Sequence, residues 1–164
     1  MSTKLQVLIP VSVFAIIVGV IGLISIPEDK IPSIEFHDGL ILLDQTQVKI
    51  HIADSNFEYI TGSMFMDKLN SNEGMFFIFD EQAIHKIWAL NMQFPIDIIW
   101  FDHNNKIIHM EENVQPCKSV LENILCEKKG PNKFSKYILE VNSGFITEFD
   151  ITPNSRLKIT SLQN

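Results

Sequence analysis

Arginine is almost missing from this chain: among 164 residues there is one, Arg156, set against 20 acidic residues. A guanidinium cluster of the kind that grips phosphates or nucleic acid has nothing to be built from. Cysteine is equally scarce, with Cys117 and Cys126 alone. Their C-x8-C spacing matches no common redox or zinc pattern. The five histidines (His37, His51, His85, His103, His109) form no His-x-x-x-His or His-Glu-x-x-His pair, so no metal site is expected. No Gly-x-Ser-x-Gly, phosphate-binding glycine loop or dinucleotide fingerprint occurs. Nothing in the sequence calls for a cofactor. Tandem repeats and low-complexity tracts are absent too.

What is present divides in two. Residues 7–26 (VLIPVSVFAIIVGVIGLISI) carry no charge, and their only polar side chains are Ser12 and Ser25. Twenty such residues can cross a hydrocarbon core of ~30 Å as a helix. A cleaved signal peptide is the competing reading, but its apolar region runs only ~7–15 residues before a small-x-small site. Here the run is longer and no Ala-x-Ala follows. A retained single-pass anchor is therefore expected. Lys4 precedes the segment while Glu28, Asp29 and Lys30 follow it, which places the N-terminus in the cytoplasm and the body outside. Ser12, Ala15, Gly19 and Gly22 share one helix face, a surface on which two such helices could pair as a homodimer.

After Ile26 the chain has 12 basic against 20 acidic residues, a balance of −8. That field repels phosphate backbones and anionic lipid, so nucleic acid is not an expected partner. Residues 27–38 read as a charged, proline-bounded linker and residues 39–164 as one domain. Its centre is the stretch 74–102. There, 75–79 and 96–101 are short apolar runs suited to strands buried on both faces. Further strands are expected at 39–44, 48–53, 84–88, 106–111, 137–141 and 157–160, with 80–83 as a loop. In 48–53, Val48, Ile50 and Ile52 alternate with Lys49 and His51. Ser55 and Glu58, three apart, form a capping-box pattern that opens a helix ending near Gly62. His103-Asn104-Asn105 marks a hairpin turn. Val120, Leu121, Ile124 and Leu125 have helical spacing within a polar stretch, and 143–149 reads as a helical turn. The fold class is α+β but mostly β: a barrel-like or strongly curved sheet with two or three short helices, behind one N-terminal transmembrane helix.

Several blocks in this body then appear together and in order. They include Ile52-Ala53-Asp54, Gly62-Ser63-Met64, Glu73-Gly74-Met75-Phe76-Phe77-Ile78-Phe79, Trp88 with Asn91, and Pro95-Ile96-Asp97. Pro116-Cys117, Cys126 and 137–144 (YILEVNSG) complete the set. In this the chain resembles DUF192, a family of small prokaryotic proteins, over roughly 47–159. The resemblance implies a compact strand-rich domain, often behind a signal sequence or anchor, and no particular reaction. The chain also departs from the pattern. Where the family signature reads Phe-Trp-Met-Lys-Asn-Thr, this chain has Ile87-Trp88-Ala89-Leu90-Asn91-Met92, and Gly-Leu-Met has become Gly62-Ser63-Met64. A polar site built on that lysine and threonine would be partly lost here, which favours binding over catalysis.

Cys117 and Cys126, in a polar loop of a domain outside the cytoplasm, read as a disulfide worth ~2–3 kcal/mol. Asp97 sits in an apolar strand behind a proline, where an unpaired carboxylate is costly. It either caps backbone N–H groups of the Pro95 turn or faces a pocket, and Glu140 poses the same question. Trp88, Asn91, Asp97 and Glu140 are the candidate ligand-binding residues, for a small molecule, sugar or protein. The leading expectation is a membrane-tethered extracytoplasmic binding module. One alternative is a small hydrolase or carbohydrate-modifying enzyme using Asp97 and Glu140 as acid and base. The other is an envelope accessory protein of a membrane partner.

Overall fold

The computed structural model of the protein describes residues 36–117 and 126–163. The expected transmembrane helix and the helical pattern at 120–125 lie outside the described residues. Among those described, no helix is long and apolar enough to cross a membrane.

Seven strands form one sheet: β1 (His37–Leu43), β2 (Thr46–Ala53), β3 (Glu73–Ala83), β4 (Ile96–Phe101), β5 (Ile107–Val114), β6 (Ser135–Asn142) and β7 (Leu157–Leu162). They lie in the order β5-β4-β6-β3-β2-β1-β7. All pairings are antiparallel except β2 with β3, whose parallel register requires a crossover. That crossover contains α1 (Asn56–Thr61) and a 3-10 turn (Gly62–Phe65). A second short helix, α2 (Phe145–Glu148), follows β6.

The two apolar runs lie where their composition puts them. β4 is buried at all six positions, and β3 is buried at Gly74–Phe77 and Phe79. Between them runs β6, paired to both. Gly74 belongs to this close packing, because a Cβ there would lie 2.7 Å from the Glu140 carbonyl oxygen. Val48, Ile50 and Ile52 are buried while Lys49 faces solvent, so β2 keeps its alternation.

The sheet does not close into the expected barrel. Its edge strands come together at one bridge, Lys106 with Arg156, where the Leu157 N–H donates to the Asn105 carbonyl at 3.3 Å. One face holds a core that spans the whole sheet, from Ile107 of β5 through Phe76, Ile99 and Val141 to Leu157 of β7, capped by Phe145 and Ile146 of α2. The opposite face of the central strands carries Met75, Phe77, Ile98, Trp100 and Ile138. Ile87, Ala89 and Met92 cover it.

That cover corrects the expected strand at 84–88. β3 runs on through Ala83, absorbing the expected loop at 80–83, and 84–88 leaves the sheet. Only Ile87 pairs, as a lone bridge to Lys129. Ile87 packs onto the sheet face while Ile84 stays about half exposed, so the two apolar residues that suggest a strand do not bury one common side. The hairpin at 103–105, β1, β2 and β7 fall within a few residues of expectation.

Candidate functional site

The capping box forms as spaced: the Ser55 hydroxyl accepts from the Glu58 N–H, and Glu58 Oε2 accepts from the Ser55 N–H at 2.9 Å. Tyr59 anchors the resulting helix to β3 by donating to the Ile78 carbonyl at 2.7 Å. The chain then turns at Gly62, whose φ of 43° lies in the left-handed region. A Cβ there would stand 3.0 Å from Phe77 Cζ. This tight turn delivers Ser63 onto β6, where its hydroxyl donates to Glu140 Oε2 at 2.7 Å.

Above that contact opens a cleft of about 20 Å³ lined by Tyr59, Met64, Phe77, Trp88, Met92 and Glu140, with Ile60 and Leu90 also on its wall. Glu140 is 3% exposed, and burial pushes its carboxyl up to about 7 despite the opposing hydrogen bonds from Ser63. Four of the positions at which the chain departs from the family pattern, Ser63, Ile87, Leu90 and Met92, meet in this cleft.

Of the four candidate residues, Trp88 and Glu140 share the cleft. Asn91 lies beside it with a φ of 54°; its N–H donates to the Cys117 carbonyl and its side-chain amide reaches Met64 Sδ at 4.0 Å. It shapes the approach to the site and is not on its wall. Asp97 is elsewhere. In the β4–β6 register Asp97 opposes Val141, and Ile98 opposes Glu140, so the two carboxylates project from opposite faces of the sheet.

Asp97 also answers its own question differently from either expectation. It is not on the wall of this cleft, and its partners lie outside the Pro95 turn. Its Oδ1 accepts from the Asn113 N–H at 2.9 Å, and its Oδ2 accepts from the N–H groups of Gly144 and Ile146, both at 3.0 Å. A completely buried carboxylate thus ties the left-handed Asn113 of β5 and the start of α2 to β4. An acid–base pair made of Asp97 and Glu140 is excluded by this placement.

Cys117 and Cys126 are bonded, with Cα atoms 6.0 Å apart. Next to them a wider, open groove of about 540 Å³ runs along Glu111–Cys117. Its acids have partners: Glu111 accepts from the Gly130 N–H and Glu127 pairs with Lys129. The histidines are dispersed. His51 pairs with Asp38, His109 with Glu111, and His85 stacks on Phe79 with ring centroids 3.6 Å apart. Among the described residues, no three His, Cys, Asp or Glu side chains converge as a metal site would need.

Sequence reasoning missed Ser63, Tyr59, Met64 and Met92 as cleft residues. The capping box was the available signal, since it fixes a helix that must end at Gly62 and so presents Ser63 and Met64 to the sheet.

A mostly-β domain of seven strands, with a small cleft over a buried carboxylate, is the class of protein that emerges. The chain belongs to the DUF192 family, described as "Uncharacterized ACR", whose profile matches residues 41–159. No curated protein matches it. Two solved structures share its fold. One is a proposed transcription regulator from Sinorhizobium meliloti 1021, with a TM-score of 0.68 and 20% identity over 78% of this chain and 98% of that one. The other is a protein of unknown function from Novosphingobium aromaticivorans DSM 12444, with a TM-score of 0.63 and 20% identity over 74% of this chain and 84% of its own. At that identity they speak to fold alone.

Proposed function

We propose that this protein is a membrane-tethered, extracytoplasmic binding module whose ligand enters the cleft over Glu140. The carrying observation is Glu140 itself: a buried carboxylate with a serine hydroxyl as its partner, at the base of an opening walled by Tyr59, Trp88, Met64 and Met92. A group left so sparsely compensated is costly to keep unless something uses it. The tether rests on the uncharged segment 7–26, and the Cys117–Cys126 bond fits an oxidising compartment.

Ligand entry is tested by screening a compound library against the full-length chain in detergent micelles, following tryptophan fluorescence. Saturable quenching that disappears in both Trp88→Phe and Glu140→Gln is expected. Binding that survives both substitutions would move the site elsewhere. Protease digestion of sealed cells tests the tether, with the body accessible only from outside.

One observation favours the accessory-protein reading as a second use of the same region. Phe57 and Ile60, one helical turn apart on α1, are 60% and 62% exposed beside the cleft mouth. Co-purification of a membrane partner that is lost on exchanging residues 7–26 supports that reading.

A further inference from the structure

We propose that the cleft over Glu140 receives a primary ammonium group carried on a short alkyl chain, with the Glu140 carboxylate as its counter-ion. This rests on the reading that the cleft is the binding site.

Charge is the first consideration. Among the described residues no ion pair includes Glu140. The Ser63 hydroxyl and its backbone N–H supply hydrogen bonds to a group with about four lone-pair sites, so acceptor capacity remains. A carboxylate in apolar surroundings attracts a cation far more strongly than one in water does. A carboxylate or phosphate ligand meets the same charge with the wrong sign.

Size narrows the class. About 20 Å³ is room for roughly one water molecule. An –NH3+ head is of that size, whereas a trimethylammonium group or a sugar ring is not. Seated there, the ammonium donates one N–H to Glu140 and another to a free lone pair of Ser63 Oγ.

The walls agree. Tyr59, Phe77 and Trp88 bring aromatic rings, and Met64 and Met92 bring polarizable thioethers. Trp88 already takes an alkylammonium from its own chain, since Lys128 Nζ lies 4.7 Å from its ring centroid. Outside the carboxylate, Ile60 and Leu90 offer apolar surface along which a short methylene chain can lie.

The test titrates n-butylamine, n-butanol, butyrate and tetramethylammonium into the full-length chain in micelles at pH 8. Tryptophan fluorescence and the thermal midpoint are both followed. Butylamine is expected to bind saturably, with butanol and butyrate weaker by about ten-fold or more. Tetramethylammonium should not displace it, and Glu140→Gln should weaken it by a similar factor. Butanol binding as tightly as butylamine to the unaltered protein overturns the proposal, whether or not the Gln variant folds. Butylamine binding that Glu140→Gln leaves unchanged overturns it as well. A neutral library ligand that occupies the cleft while all amines fail also defeats it, yet leaves the binding-module reading standing. A parallel arm with short-chain phosphatidylethanolamine and phosphatidylcholine separates a lipid headgroup from a free amine. Preference for the ethanolamine lipid supports the ammonium chemistry and assigns its source.

Discussion

Asp97 and Glu140 are both buried strand carboxylates, one step apart across the β4–β6 ladder, and they live in opposite surroundings. Asp97 is enclosed by backbone: three N–H groups from β5 and the start of α2 converge on its two oxygens. Glu140 lies mostly among side chains, aromatic rings and thioethers, with Ser63 alone, through its hydroxyl and backbone N–H, as its hydrogen-bond donor. The first arrangement spends the carboxylate on holding segments together. The second leaves capacity unused at the base of an opening. Burial alone does not mark a functional acid; the supply of donors around it does.

The largest effect should come from Asp97→Asn. The amide offers one acceptor oxygen to three donors and turns its own N–H groups toward one of them. Urea unfolding is expected to show a loss of about 4 kcal/mol. A loss below about 1 kcal/mol would erase the distinction between the two sites.

Glu140→Gln should act with the reverse sign. Burial raises the folded-state pKa from 4.5 to about 7, so the folded protein holds this proton more tightly than the unfolded chain does. The associated stability is fully present below pH 4.5 and is lost as pH rises through 7. The cost above that pH is about 3 kcal/mol. The Gln variant cannot ionise, so it should be the more stable protein at pH 8 and close to the parent at pH 4. Equal stability at both pH values would place an unrecognised cation beside the carboxylate.

Cutting the disulfide as Cys117→Ser with Cys126→Ser should cost ~2–3 kcal/mol. It should leave the pH profile set by Glu140 unchanged, which makes it the control for the other two. Smallest of all, Ser63→Ala removes the larger of the two Ser63 hydrogen bonds that favour the ionised carboxyl and keeps the backbone one. The expected loss is about 1 kcal/mol at pH 8 and less at pH 4, with the fall in stability moved to higher pH in the same titration.

Much of the frame was legible from local pattern. The alternation of β2, the solid burial of β4, the Ser55–Glu58 cap and the 103–105 turn are each written in a few neighbouring residues. The separation of Asp97 from Glu140 was not, because it depends on cross-strand register. A shift of one residue between β4 and β6 would have put both on one face. The strand expected at 84–88 failed for a related reason, since an apolar residue such as Ile87 is buried alike by pairing within a sheet and by packing onto its face. Trp88 and Glu140 stand out in the sequence as an aromatic beside a turn and a carboxylate within an apolar strand. Their meeting depends on how the segment after β3 folds back over β6, which no local pattern records.

The first strand of this sheet is flanked by the second and by the last, with Gly39 opposite Leu162. Contacts so distant along the chain make closure slow and leave it to the end. A ribosome must have released nearly the whole domain before β1 can find its outer neighbour. Until then the outer edge of β1 stays unpaired, a row of backbone groups open to any other strand that reaches it.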